Sequence, residues 1–111
     1  MGKVENYRTF IENIIKEYGD VKPSYGDVEM QILFDRERNH YQLNSVGWNQ
    51  DRRIRGCLLH IDLKGSKIWI QHDGTEVGVA NELVKLGVPR EDIVLAFHAP
   101  YKRQYTDFAV T

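Results

Sequence analysis

The sequence predicts one α+β domain in which helices pack on an antiparallel sheet. An amphipathic helical stretch opens the chain, stretches of alternating apolar and polar residues follow, and a shorter amphipathic stretch comes after them. A chain of 111 residues is long enough for one hydrophobic core. We therefore expect residues 1–111 to form a single domain with an N-terminal helix, a four-stranded antiparallel meander, a second helix and a candidate short fifth strand near the C-terminus.

The first helix is predicted from about Val4 to Tyr18. Gly19 is a plausible C-terminal cap, and Pro23 prevents the helix from continuing. The apolar residues recur at spacings of three and four, so they form one stripe that must lie on an apolar surface. These residues are Val4, Tyr7, Ile11, Ile14, Ile15 and Tyr18.

Alternation predicts the first strand over Val28–Phe34 and the start of a second strand near His40. In the second strand, Val46 and Trp48 fall on the opposite parity from the earlier apolar residues. We attribute this slip to a bulge near Asn44 or Ser45, or to a bend at Gly47.

A polar turn over 49–53 leads to a third strand, Ile54–Leu63, and a loop over 64–66 leads to a fourth strand centred on Trp69. Strict alternation puts four apolar residues of the third strand on one face, namely Cys57, Leu59, Ile61 and Leu63. We expect Trp69 to be a core or interface anchor.

The second helix is predicted from about Glu76 to Leu86, with Gly87 ending it. Asp73 or Thr75 is expected to cap its first turn, and Glu76 to lie near the positive end of the helix dipole. Gly74 is expected to adopt a backbone conformation that other residues resist. The run from Ile93 to Phe97 is the candidate fifth strand, and the tail from His98 is expected to be irregular.

Composition excludes several classes of protein. The formal net charge of -1 gives no electrostatic footprint for a strong stand-alone nucleic-acid binder. Cys57 is the single cysteine, so it forms no internal disulfide, and its place in an apolar strand is typical of an inert thiol. No signal segment or membrane-length apolar run is evident, so the expected location is the cytoplasm.

Histidines and carboxylates concentrate in one stretch. This group could bind a divalent metal or perform acid–base chemistry. We favour the alternative interpretation, a polar sheet face followed by a capped helix, because such caps are common. We therefore expect no catalytic residue, cofactor or metal site. The residues of the group are His60, Asp62, His72, Asp73 and Glu76.

Two basic clusters lie beside aromatic residues. Such pairs can contact a protein partner or a nucleic acid, although a solvated hairpin end is the commoner meaning. The candidate contact residues are Trp48, Arg52, Arg53, Arg55, Lys102 and Arg103.

One ordered set of motifs is more specific than these clusters. It comprises Asp35-x-x-x-Asn-His-Tyr41, Ser45-Val-Gly-Trp48, Gly56-Cys-Leu-x-His-Ile-Asp62, Lys67-Ile-Trp-Ile-Gln-x-Asp-Gly-Thr-Glu76, Gly87-Val-Pro-x-x-Asp-Ile-Val-Leu95 and Phe97-His98. This set resembles the XisI family, the controlling factors for excision of the fdxN element in heterocyst-forming cyanobacteria. The resemblance covers nearly the whole chain.

The resemblance implies an accessory protein that acts with XisH, a nuclease-like partner, and with a separate recombinase complex. It supplies no catalytic residues. Our first hypothesis is therefore a non-catalytic factor that binds a protein partner, with a homodimer through an exposed sheet edge also plausible. The alternatives are a DNA-binding module that uses the two basic clusters, and a small metal-dependent hydrolase that uses the histidine–carboxylate group.

Overall fold

The computed structural model describes residues 2–21 and 26–111 and has the predicted α+β architecture. Pro23 lies outside these residues. The elements are α1 (Lys3–Gly19), β1 (Asp27–Asp35), β2 (His40–Asn49), β3 (Arg52–Lys64), β4 (Lys67–Asp73), α2 (Val79–Lys85) and β5 (Ile93–Leu95), with 3-10 turns at Arg90–Asp92 and Pro100–Tyr105.

The five strands form one sheet in the order β1-β2-β3-β4-β5. The first four strands pair antiparallel, which confirms the predicted meander. Gly65 and Ser66 form the β3–β4 turn with φ of 59° and 64°, the positive values that a tight hairpin turn favours. The fifth strand is real and pairs parallel with β4, because α2 carries the chain back across the sheet before β5 begins.

Both helices pack on the same face of the sheet, which we call the inner face. Ile11 and Ile15 of α1 and Leu83 of α2 join one buried cluster with the inward side chains of the strands. The predicted stripe of α1 is thus confirmed as its packing surface. Six inward strand residues at the centre of this cluster have no exposed surface: Tyr41, Leu43, Leu59, Ile61, Ile68 and Ile70.

The bulge lies in β3, whereas the sequence placed it in β2. β2 pairs with β1 without a break, but its pairing with β3 shifts after Leu43, which leaves Leu58 as the extra residue. Because β2 itself has no bulge, its side chains alternate without a break, and Val46 and Trp48 lie on the outer face, opposite to Tyr41 and Leu43. Cys57 lies there too, opposite Asn44, so its predicted place beside Leu59 is wrong.

The second helix begins at Val79, three residues later than predicted, and Glu76 lies exposed before it. Gly78, with φ of 90°, has the conformation that was expected of Gly74. Gly74 is instead constrained by space, since a Cβ there would lie 3.0 Å from the side chain and 3.1 Å from the carbonyl oxygen of Leu58.

The tail is more regular than expected. It contains the second 3-10 turn, and Ala109 forms a parallel bridge to Val94 of β5. Among the described residues, no helix is long and apolar enough to cross a membrane.

Candidate functional site on the open sheet face

Helices cover the inner face of the sheet, whereas the outer face presents polar and aromatic side chains in cross-strand rows. At one end the rows are Asp27–Trp48–Arg53 and Glu29–Val46–Arg55, and at the other they are Leu33–Gln42–His60 and Asp35–His40–Asp62–Trp69. Two shallow depressions of about 510 and 530 Å³ lie along this face.

Two imidazoles converge on one carboxylate in the first depression. Nδ1 of His40 lies 2.8 Å from Oδ1 of Asp62, and Nε2 of His60 lies 3.0 Å from the same oxygen. The other oxygen of Asp62, Oδ2, accepts a hydrogen bond from Nε2 of Gln71 at 3.2 Å. The Asp62 side chain is 13% exposed and that of His40 is 51% exposed. We call His40, His60 and Asp62 the His–Asp cluster.

The bulge in β3 creates this cluster. The β2–β3 turn sets Asn49 opposite Arg52, and continuing that register without an extra residue would put Ile61 opposite His40. The extra residue moves Asp62 into that position instead. A second shift, in the β3–β4 pairing, leaves Gln71 unpaired between Ile70 and His72, where it reaches Asp62.

The structure brings together only part of the predicted histidine–carboxylate group. His60 and Asp62 share a face as expected, while His72 is exposed and stands outside the cluster. Asp73 is occupied elsewhere: its Oδ1 accepts from the Thr75 amide at 2.9 Å and the Thr75 hydroxyl at 2.6 Å, and its Oδ2 accepts from the Val79 amide at 2.8 Å. The five-residue metal or acid–base group is therefore not assembled.

His40 was missed by the sequence analysis. Its motif, Asn-His-Tyr, was noticed only as a family marker. Nothing in the sequence signals the bulge at Leu58, and without that bulge His40 has no carboxylate opposite it in β3. The sequence did indicate the other two members, His60 and Asp62, because a histidine and an aspartate two positions apart in a strand point to the same side.

The second depression lies toward the Trp48 end of the outer face. The guanidinium of Arg53 lies 5.2 Å from the centre of the Trp48 ring, within cation–π range. Arg55 lines the depression beside Val46. Arg52 pairs with Asn49 on the opposite parity, so the three predicted arginines are divided between the two sides of the hairpin.

The XisI protein family model matches residues 1–110. The chain belongs to the XisI family. A XisI-like protein from Anabaena variabilis ATCC 29413 is 47% identical, with 97% of this chain and 99% of that one covered and a TM-score of 0.91. The fdxN element excision controlling factor XisI from the same organism is 34% identical, with coverage of 99% and 100% and a TM-score of 0.87. No curated protein matches significantly.

In this XisI-family chain, Arg103 fastens the C-terminal tail. Its guanidinium donates hydrogen bonds to the carbonyl oxygens of Ala96 at 3.2 Å, His98 at 3.0 Å and Val110 at 3.5 Å. It also lies 5.6 Å from the centre of the Trp69 ring. Lys102 is exposed and lies 5.9 Å from the ring centre of Tyr101. Of the second basic cluster, Lys102 is therefore the cation that is available to a partner, because Arg103 is engaged by the tail.

Cys57 of this XisI-family chain is poorly suited to be a nucleophile. Burial raises the pKa of its thiol, and a hydrogen bond from the Leu59 backbone offsets this only in part. The thiol also donates a hydrogen bond to the carbonyl oxygen of Leu59 at 3.1 Å, which favours the protonated form. A raised pKa leaves little of the reactive thiolate at neutral pH.

Proposed function

We propose that this chain is a non-catalytic accessory factor for site-specific DNA excision of the fdxN-element type, and that it acts by binding a protein partner such as XisH. The observation that carries the proposal is its 34% identity to the fdxN element excision controlling factor XisI over 99% of this chain. We further propose that residues 1–111 act as one XisI-like domain in the cytoplasm, alongside a recombinase complex.

The proposed docking surface is the Trp48 end of the outer face, which comprises Val46, Trp48, Arg53 and Arg55. Trp48 is 51% exposed, although its side chain is large and apolar. Tryptophan and arginine are the residue types that most often dominate binding energy at interfaces. The stacking of Arg53 on Trp48 restricts both side chains before binding, which lowers the entropy cost of association.

The distribution of charge on this surface favours a protein over DNA. Asp27 and Glu29 of β1 pair with Trp48 and Val46 of β2, which pair in turn with Arg53 and Arg55 of β3. Each row thus has a carboxylate and an arginine two strands apart. A phosphate backbone is best bound by a surface of uniform positive charge. A protein partner can instead match an alternating pattern of charges.

The test is complex formation with the XisH-like protein of the same genome, measured by calorimetry at low micromolar concentration. We expect Trp48→Ala and Arg55→Ala each to weaken binding by about tenfold or more, in the range of interface hot spots. Tyr105→Ala is the matched control, because Tyr105 is 81% exposed on the C-terminal turn, away from this surface. Absence of any complex at every salt concentration, or full affinity in the Trp48/Arg55 double variant, would refute the proposal.

The DNA alternative requires its own measurement. Fluorescence anisotropy with duplex DNA at low salt should detect no tight binding by the chain alone. Affinity that falls steeply with salt, and that depends on Arg53 and Arg55, would mean that this surface binds DNA and not a protein partner.

The homodimer stays a prediction that rests on β1. Within the described residues, this strand has a neighbour, β2, on one side only. A free edge presents unpaired backbone groups to which a second copy can add. Sedimentation at several concentrations tests it, and a monomer at all of them would exclude the dimer.

A further inference from the structure

The His–Asp cluster has the composition of a transition-metal site. Each of its three residues offers one ligand atom, and these atoms all lie within 4.8 Å of one another. Two imidazole nitrogens and one carboxylate oxygen form a common donor set for zinc and related ions. The cluster lies at the opposite end of β2 from Trp48, eight residues or roughly 26 Å along the strand, so it is separate from the proposed docking surface.

The three ligand atoms can reach the spacing of a metal site by rearrangement of their side chains. Zinc ligands lie about 2.0–2.2 Å from the metal, so two ligands of a tetrahedral site are separated by roughly 3.3 Å. The two histidine nitrogens now lie 2.8 and 3.0 Å from Oδ1 of Asp62. Side-chain rotation must open these contacts by a few tenths of an ångström and bring the two nitrogens, which lie within 4.8 Å of each other, to roughly 3.3 Å. The backbone positions are already fixed by strand pairing.

Two further features match a constructed metal site. Gln71 holds the second oxygen of Asp62, as the outer partners of metal-ligating carboxylates do. The depression of about 510 Å³ is lined by all three cluster residues together with Leu33 and Gln42. An ion bound by three protein atoms would thus keep a coordination position facing this space, where water or an incoming ligand could complete the shell.

We propose that His40, His60 and Asp62 bind one divalent transition-metal ion of the zinc class on the outer face of the sheet. The inference goes beyond the proposed function, and it departs from the sequence-based expectation of no metal. Magnesium is excluded as the preferred ion because it favours an octahedral shell of oxygens.

The test is calorimetric titration of the full chain with zinc chloride at pH 7.5, paired with a melting curve. We expect one ion per chain and a melting temperature raised by several degrees, with no change in magnesium chloride. His40→Ala and His60→Ala should each weaken zinc binding by at least about tenfold. The His40 side chain is half exposed, so its removal should leave the fold intact, which circular dichroism checks.

Two matched variants separate this site from other zinc donors. His72→Ala removes an exposed histidine opposite His60 in register, and Cys57→Ser removes the neighbouring thiol. Both should bind zinc like the original chain. Cobalt should give the visible spectrum of a tetrahedral site, which should vanish in the His40/His60 double variant. No zinc binding by the original chain, a retained cobalt spectrum in the double variant, or loss of binding in either control would overturn the proposal.

Discussion

The inner and outer faces of the sheet are built from the same strands but carry opposite kinds of side chain. Along β2 and β3, the inward residues Tyr41, Leu43 and Ile61 are completely buried under the helices. The outward residues next to them are histidine, glutamine and aspartate, which lie on the face opposite to the helices. An antiparallel sheet with one covered face gives this alternation, because successive side chains point to opposite sides.

The residues that determine the fold lie on the inner face, and the residues that are available for binding lie on the outer face. The inner face needs apolar side chains of the right volume, since its packing is close and free of water. The outer face has no such requirement. Leu33 and Trp48 remain half exposed, so their burial contributes little to the stability of the fold, and these apolar side chains indicate a second use for that surface. The proposed docking surface and the His–Asp cluster both lie there.

Truncating one apolar side chain on each face to alanine tests this difference between the faces. Of the substitutions proposed for this chain, the one on the inner face should change the free energy of unfolding most. Ile61→Ala should lower the free energy of unfolding by about 3 kcal/mol, because it opens a cavity in a fully buried site. Leu33→Ala should change the free energy of unfolding by less than about 0.5 kcal/mol, because its side chain is already half in water. Urea unfolding measures both. Similar losses for the two variants would mean that the outer face also supports the fold.

The order of elements and the inner face could be predicted from sequence, because both depend on local periodicity. The stripe of α1 and the alternation in β1 needed only the spacing of apolar residues. The outer face could not be predicted in the same way. Which side chains meet there depends on cross-strand register, and one extra residue at Leu58 decides both the partner of His40 and the side taken by Cys57.

The start of α2 shows the same limit on a smaller scale. The composition over Asp73–Glu76 favours a cap, and the side chain of Asp73 indeed accepts the Val79 amide. The sequence could not show that the cap reaches six residues ahead, across a turn that needs the positive φ of Gly78. Local propensity thus identified the capping residue but misplaced the first residue of the helix.

An ion pair at the rim of the inner face gives the next largest effect. Glu12 of α1 is buried, and both of its oxygens accept from Arg36 at 2.8 Å. Glu12→Gln should lower the free energy of unfolding at pH 7 by about 2 kcal/mol, because the charged guanidinium of Arg36 keeps one neutral acceptor oxygen in place of the two carboxylate oxygens. Chemical denaturation at pH 7 measures this loss.

The same pair gives a pH dependence with a defined sign. The hydrogen bond from Arg36 lowers the pKa of Glu12 below its ordinary value of 4.5, although burial opposes it. The stabilisation is therefore complete above pH 4.5 and is lost as the pH falls through the lowered folded pKa. Glu12→Gln should flatten the stability profile in this acid window, whereas Glu17→Gln, on the exposed side of α1, should not. Parallel profiles for all three proteins would contradict this assignment.

The smallest expected change in the free energy of unfolding is for substitutions of Asp73, which lies where the chain passes from β4 to the helices on the inner face. Asp73→Ala removes the acceptor for the amides of Thr75 and Val79, so the free energy of unfolding should fall by about 1 kcal/mol, as for other lost helix caps. Asp73→Asn should retain part of this stability because its amide oxygen can still accept. Thermal unfolding measures both variants, and zinc titration of each should match the original chain. A cap explains lost stability with unchanged zinc affinity, whereas weakened zinc binding in Asp73→Asn would return Asp73 to a metal site that includes His60 and Asp62.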